Sequence, residues 1–414
     1  MTRTYLSPIN HSMKRILNFL GIGRGGGLQN SMSFLDTLAV KPEAKSQCGA
    51  LVRRGHPLHE ACRRCDIDHL TFSAAPATRP LLGVACRKHF DRGQTCFTIF
   101  GPVLLGTSGY FFNVNGCAYS NLFYPEIPFW HSGRSWLSLQ LKQGIDILRQ
   151  HWTTRADYWI FETEALRRRA IELCGFPESR VAVVRMAASN LVSPEKVDDE
   201  QSQVLERRLP EGFRFLFLAG AHPNKRIDRL PAIASELRKR GETNFVFVTT
   251  MPERDPYANA VVAAFRERGL DQHLHNVGPV PPADVSTLIH CVDAMCTFSR
   301  LESFSNNFVE AWRMRRPLVV TDGDWSRDSC GDAAFYLDPA NAVESAEGMA
   351  RLMNRSDLRE RLVAQGDTQL AMYPTAAEKL DRYFQCLEEA EILGPCTPRE
   401  RARIHWPKSR TTQL

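Results

Sequence analysis

Short apolar runs alternate with longer stretches of helical periodicity along almost the whole chain. The first run, Ile16-Leu17-Asn18-Phe19-Leu20, is followed at once by Gly21-Ile22-Gly23-Arg24-Gly25-Gly26-Gly27. Met32, Leu35 and Leu38 then recur at helical spacing, which predicts a strand, a glycine turn and a helix. Ala50-Leu51-Val52, Cys96 to Phe100, Tyr158 to Phe161 and Val181 to Val184 are further strand candidates, with helical stretches between several of them. This alternation predicts a parallel sheet with helices on both faces. From about Gly101 to Ser138 the rhythm breaks, and the abundance of Gly, Pro and aromatic residues reads as long irregular loops.

A polar, charged segment between Ser193 and Gly212 reads as an interdomain linker. After it a second alternation begins, with short apolar runs at Phe215–Leu218, Phe245–Val248, Val292–Cys296 and Leu318–Val320. The chain is therefore expected to hold two doubly wound α/β domains, residues 14–192 and 213–372, joined by 193–212. Residues 1–13 and 395–414 are polar and read as flexible segments, the latter basic.

Composition narrows the function classes. With 43% hydrophobic and 24% charged residues, the 414-residue chain can bury a large core, which excludes disordered and collagen-like classes. The net charge of +6 is too small to argue for nucleic acid. Its distribution is uneven: residues 1–194 carry 23 Lys and Arg against 13 Asp and Glu, and the remainder 29 against 33. The basic half suits an anionic partner, a phosphorylated substrate or the surface of an anionic membrane; a solvated basic face is the plain alternative. The 12 cysteines are scattered without a framework of spacings, so free thiols and a reducing, cytoplasmic compartment are expected. No run of 18 apolar residues is present, so any membrane contact is expected to be peripheral.

Two loops carry candidate chemistry. Glu302-Ser303-Phe304-Ser305-Asn306-Asn307-Phe308-Val309-Glu310 lies between a predicted strand and a predicted helix. This places one carboxylate at the strand's carboxyl end, where open α/β sheets bind ligands, and the other a turn into the helix. Backbone amides of Ser305, Asn306 and Asn307 at a helix N-terminus suit a diphosphate, and Glu310 suits a ribose diol. The plain alternative is a carboxylate favouring the helix dipole and a surface glutamate. The second loop, Gly220-Ala221-His222-Pro223-Asn224-Lys225-Arg226, opens the second half and offers a point charge and a guanidinium fork to a phosphate.

Taken in order, these segments resemble the family 4 glycosyltransferases of the GT-B fold, in which an E-x7-E segment and a lysine loop of the C-terminal Rossmann-like domain bind a sugar-nucleotide donor. The likeness extends to Pro317–Asp322, to Cys330–Pro339 and to Ala156–Glu164, and spans most of residues 14–390. It implies two Rossmann-like domains facing across a cleft, with a helix at 373–394 packing back on the first. It also implies Glu302 beside the transferred sugar, Glu310 on the ribose, Lys225 on the diphosphate with the amides of 305–307, and Gly25 and Gly26 approaching from the opposing domain. A retaining transfer to a glycan or lipid-linked acceptor, without a bound metal or other cofactor, is the implied activity. Three positions depart from the pattern: Ala221 stands near an expected arginine, leaving Arg226 or His222 to substitute; Ser303 and Ser305 replace glycines; and an N-terminal-domain histidine near the sugar has only His131, out of motif, as a candidate.

Rival readings remain at this stage. Gly21-x-Gly23-x-x-Gly26 is a dinucleotide fingerprint, and Arg53-Arg54 beyond the second strand candidate suits an NADP phosphate. His56, His59, Cys62, Cys65 and His69 have the composition of a zinc site, although Leu58, Ala61, Cys62 and Cys65 also fall on one helix face. A catalytically degenerate nucleotide-sugar-binding protein and a nucleotide-sugar epimerase share the architecture. Aromatics from Phe111 to Trp136 mark core, an acceptor groove or an interfacial patch.

Overall fold

A computed structural model of the protein describes residues 14–23, 25–73, 82–104, 106–127, 136–188 and 191–407. Arg24, Phe129, Trp130 and His131 lie outside them. The chain forms two compact units, residues 1–187 with 374–414, and residues 188–373.

Among the described residues, the first unit holds seven parallel strands: β1 (Arg15–Asn18), β2 (Cys48–Arg53), β3 (His69–Phe72), β4 (Thr95–Thr98), β5 (Phe112–Cys117), β6 (Tyr158–Phe161) and β7 (Val181–Val183), in the order β3-β2-β1-β4-β5-β6-β7. Ile16 of β1 pairs with Gly49 on one side and Cys96 on the other, so the order reverses at β1 and β4. The glycine turn after β1 opens the helix Gly26–Ala39, whose Phe34, Leu35 and Leu38 enter the core. Gly25 holds φ 72° at its N-cap, a left-handed conformation that favours glycine.

The stretch read as irregular loops contains β5, whose six residues are all buried. Its sequence, Phe-Asn-Val-Asn-Gly-Cys, hides a central strand because two asparagines and a glycine interrupt the apolar run. The Asn113 amide nitrogen donates to the carbonyls of Thr107 and Phe111, and its backbone N–H donates to Asp157. Gly116 is required by close approach: a Cβ there would lie 1.8 Å from the carbonyl oxygen of Ile99.

The second unit holds β8 (Phe213–Phe217), β9 (Phe245–Thr249), β10 (Leu274–Asn276), β11 (Ala294–Thr297), β12 (Leu318–Thr321) and β13 (Phe335–Leu337), again parallel, in the order β10-β9-β8-β11-β12-β13. Its order reverses between β8 and β11. An aromatic cluster of Phe215, Phe217, Phe245, Phe247, Phe265 and Phe298 fills one face of this sheet.

The helix Ala376–Leu393 belongs to the first unit. Leu380, Tyr383, Cys386, Leu387 and Ala390 enter that unit's core, where Tyr383 packs on Phe34 and Phe97. Arg15 of β1 forks onto Glu391 at 3.0 and 2.8 Å. Residues 395–407, read from the sequence as the start of a flexible tail, are instead packed against the far edge of the same sheet. The Arg180 guanidinium donates to Glu400 at 2.8 Å and to the Gly394 carbonyl at 2.7 Å. Arg401 donates to Asp157, and Trp406 packs tilted against Phe123 and edge-on against Phe176. Composition alone concealed this because each of these basic residues has an acceptor more than 200 positions away.

Candidate functional site

The two loops singled out in the sequence emerge side by side where the second sheet reverses its order, the position at which α/β sheets of this kind leave a crevice. The β8 loop ends in a short 3-10 turn, Pro223–Lys225, started by His222, whose Nδ1 accepts from the Asn224 N–H. The β11 loop runs from Phe298 to Ser305 and leads into the helix Asn306–Arg313.

Asn224, buried between the loops, holds them together. Its side-chain nitrogen donates to the Leu301 carbonyl at 2.9 Å, its side-chain oxygen accepts from the Leu301 N–H, and its own carbonyl accepts from the Arg300 N–H at 2.8 Å. Asn307 adds a second tie, donating to the Leu218 carbonyl at 3.0 Å and to Thr297 Oγ1. With its contacts on both sides, the site is rigid backbone rather than a hanging loop.

Lys225 and Glu302 meet directly, Nζ to Oε1 at 2.6 Å, and Ser299 donates a short hydrogen bond to the same oxygen. Both side chains are mostly covered, so their attraction is less screened than that of a surface pair. A small cavity beside them is lined by Ala219, Lys225, Thr297, Ser299 and Asn307. Ser305 is the buried N-cap of the next helix, and its side chain accepts no capping bond. The first turn of that helix, Asn306 and Asn307, carries no acidic residue, so the positive end of the helix is left for an anion. Glu310 lies buried on the second turn of that helix.

Arg226 takes a different course from a phosphate fork. It adopts a left-handed conformation (φ 53°), is buried, and points to Asp338 at 3.6 Å; burial and neighbouring Arg300 lower its pKa. Asn224 and Arg300 are the members of this site that sequence reasoning missed. The only local signal for them was their place in the two loops.

In the first unit, Gly25 and Gly26 lie at the carboxyl end of β1, at that sheet's own reversal. Arg53, which suited an NADP phosphate, donates a short hydrogen bond to the Ile22 carbonyl, and His56 Nε2 lies 3.1 Å from the Gly23 oxygen. Both side chains thus bind the glycine turn itself. Of the histidine and cysteine cluster, Cys62 is buried in the core with its thiol pushed up to about 12 by burial, and His56 caps the helix Pro57–Arg64. Among the described residues no group of three His, Cys, Asp or Glu is placed to hold a metal ion. No helix among them is long and apolar enough to cross a membrane. Of the aromatic stretch, Phe111, Phe112, Phe123 and Tyr124 are core, whereas Trp136 is exposed.

Residues 212–355 match the family described as Glycosyl transferases group 1, a span that holds Lys225, Glu302 and Glu310. No curated protein matches the sequence. Among solved structures, a glycosyltransferase from Rickettsia africae superposes with a TM-score of 0.68 at 13% identity, covering 92% of this chain and 99% of that one. An α,α-trehalose 6-phosphate synthase from Burkholderia multivorans gives 0.69 at 11% identity, covering 92% and 99%. HepE from Anabaena, solved in complex with UDP and glucose, gives 0.66 at 14% identity, covering 91% and 99%. Two parallel α/β sheets in two units and these superpositions give the chain the GT-B fold, and residues 212–355 of its second unit are similar to the group 1 glycosyl transferases.

Proposed function

We propose that the protein is a retaining, metal-independent family 4 glycosyltransferase that moves a sugar from a nucleotide diphosphate to a glycan or lipid-linked acceptor in surface polysaccharide synthesis. The observation that carries this reading is the Lys225–Glu302 pair at the reversal of the second sheet, beside a helix N-terminus that has no carboxylate of its own.

In this reading the donor diphosphate lies on the amides of Asn306 and Asn307 with Ser305 at the cap, and the ribose diol donates to Glu310. Lys225 leaves Glu302 for the diphosphate, and the freed Glu302 carboxylate accepts from the sugar hydroxyls. Gly25 and Gly26 are assigned to the same diphosphate. Arg226 serves the donor loop through its backbone turn and its hold on Asp338.

The acceptor oxygen bonds to the anomeric carbon on the face from which the diphosphate departs. The carbon–oxygen bond to phosphate breaks, and the acceptor proton passes to a phosphate oxygen. The charge growing on the leaving group is what a preorganised cation and helix amides stabilise. UDP, bound by HepE in its crystal structure, is the first nucleotide to try.

The test is a thermal-shift series with UDP, GDP, ADP, NAD and NADP, because a ligand of the folded state raises its apparent stability. Stabilisation by one nucleoside diphosphate, abolished in Glu310→Ala, supports the reading. A shift with NADP alone replaces it with an oxidoreductase. Ala221 favours one second reading, a binding protein without turnover, which is the outcome if the nucleotide binds but no sugar is transferred or hydrolysed.

A further inference from the structure

The helix Trp136–Thr154 in the first unit is inside out. At 100° per residue its nine exposed positions, 136, 137, 140, 141, 143, 144, 147, 148 and 151, form one continuous face about 22 Å long. Trp136, Leu137, Leu141, Ile147 and Leu148 on that face are each between 60% and 72% exposed, and none of the nine is Asp, Glu, Lys or Arg.

The charges of the helix point the other way. Asp146 accepts from Asn121 at 3.0 Å and from Arg149 at 2.9 Å, and the Arg149 guanidinium lies 4.3 Å over the Tyr119 ring. Thr153 is buried, and its carbonyl accepts from Trp159 Nε1. A helix whose ion pairs face the protein and whose large apolar side chains face water has an occupant for its outer face.

Charge selects that occupant. The unit bearing the helix carries 30 Lys and Arg against 19 Asp and Glu, whereas the other unit carries 22 against 27. Two copies meeting through this face would bring two strongly positive units together, while an anionic bilayer meets opposite charge. A tryptophan at one end of an apolar stripe suits the boundary between headgroups and acyl chains.

We propose that the Trp136–Thr154 helix is a membrane-docking element that lies in the surface of an anionic bilayer with Trp136, Leu137, Leu141, Ile147 and Leu148 inserted. This deepens the lipid-linked acceptor reading above by naming the surface that brings the enzyme to it. It uses none of the residues assigned to the donor, so the two fail separately.

The experiment is co-sedimentation of the full chain with vesicles of phosphatidylcholine alone and of phosphatidylcholine with about one-third phosphatidylglycerol. The wild type is expected to partition to the anionic vesicles, less so at high salt. The double variant L141E/L148E, and separately L141S/L148S, is expected to lose on the order of a hundredfold in partitioning while keeping its melting temperature and the wild type's response to UDP, GDP and ADP. Both positions are exposed, so neither pair threatens the fold. Failure of the wild type to bind anionic vesicles overturns the proposal, as does equal binding by the variants. Lipid-free self-association of the wild type that the variants abolish also overturns it and assigns the face to a second copy. Absence of a shift with UDP, GDP and ADP alike in wild type and variants, with vesicle binding intact, sinks the donor reading and leaves the docking element standing.

Discussion

The two units share one architecture, a parallel sheet with a reversal in strand order, yet they secure their reversal points differently. In the second unit both loops at the reversal are short and laced to one another through Asn224 and Asn307. In the first, the glycine turn after β1 is held by Arg53 and His56 from the strand and helix beyond it, and the neighbouring β5 depends on a buried asparagine and a glycine with no room for a methyl group. The second unit ties two loops 77 and 89 positions apart through side-chain amides, whereas the first ties its turn over 31 and 33 positions and flanks it with a strand whose Gly116 has no room for a side chain. The first is therefore the more sensitive to an added atom and the second to a lost hydrogen bond.

This difference orders the expected effects. Glu302→Ala is expected to lower turnover by about 10²- to 10³-fold with a smaller change in donor KM, because the proposed reading puts this carboxylate beside the reacting sugar. Steady-state kinetics with unchanged thermal melting checks this, and full activity would remove Glu302 from the site. Gly116→Ala is the counterpart in the first unit, placing a methyl carbon against the Ile99 carbonyl. It is expected to destabilise that unit by about 3 kcal/mol or more, read as an early first transition in calorimetry while the second unit melts as before.

Asn224→Ala sharpens the comparison from the other side. It strips partners from the Leu301 N–H and carbonyl, each buried group costing about 1–3 kcal/mol when left unmet. Donor binding is expected to weaken about tenfold with little change in the first unit's melting, measurable by nucleotide titration.

The smallest effect concerns the packed tail. Arg180 and the Thr397 cap hold the Glu400 carboxyl down from 4.5 to about 2. A depressed carboxylate stabilises the folded form above its unfolded pKa, and that contribution fades as pH falls from about 4.5 toward 2. Glu400 is half-buried at the surface, where solvent screens the pair, so the contribution is modest. Limited proteolysis after residue 394 should accelerate across that range in wild type, whereas Glu400→Gln should be cut at one rate throughout.

Strands with unbroken apolar runs, such as Phe245–Val248 and Tyr158–Phe161, were legible because local composition alone specifies them. The polar strands β3, β10 and β5 were not, since His, Thr and Asn interrupt their apolar runs and, in β10, the partners of Asn276 lie 25 and 27 positions away. The candidate site divides in the same way. The E-x7-E spacing and Lys225 could be read along one stretch each, but the Asn224 clamp joins positions 77 apart and has no trace in either loop taken alone. The tail was misread for the same reason: Arg180 and Glu400 are 220 positions apart, and a string of basic residues looks solvated until its acceptors are in place.

The helix Ala376–Leu393 sits in the core of the first unit, although the whole of the second unit separates it in sequence from residue 187. During synthesis, therefore, the second unit emerges whole and is free to fold while the first still waits for Leu380, Tyr383 and Leu387 to leave the ribosome. At about 5–20 residues per second, the 186 residues from 188 to 373 impose a delay of tens of seconds at the slow end. For that interval Phe34 and Phe97 are without their covering helix, and a nascent chain stalled before residue 376 is a natural client for a chaperone.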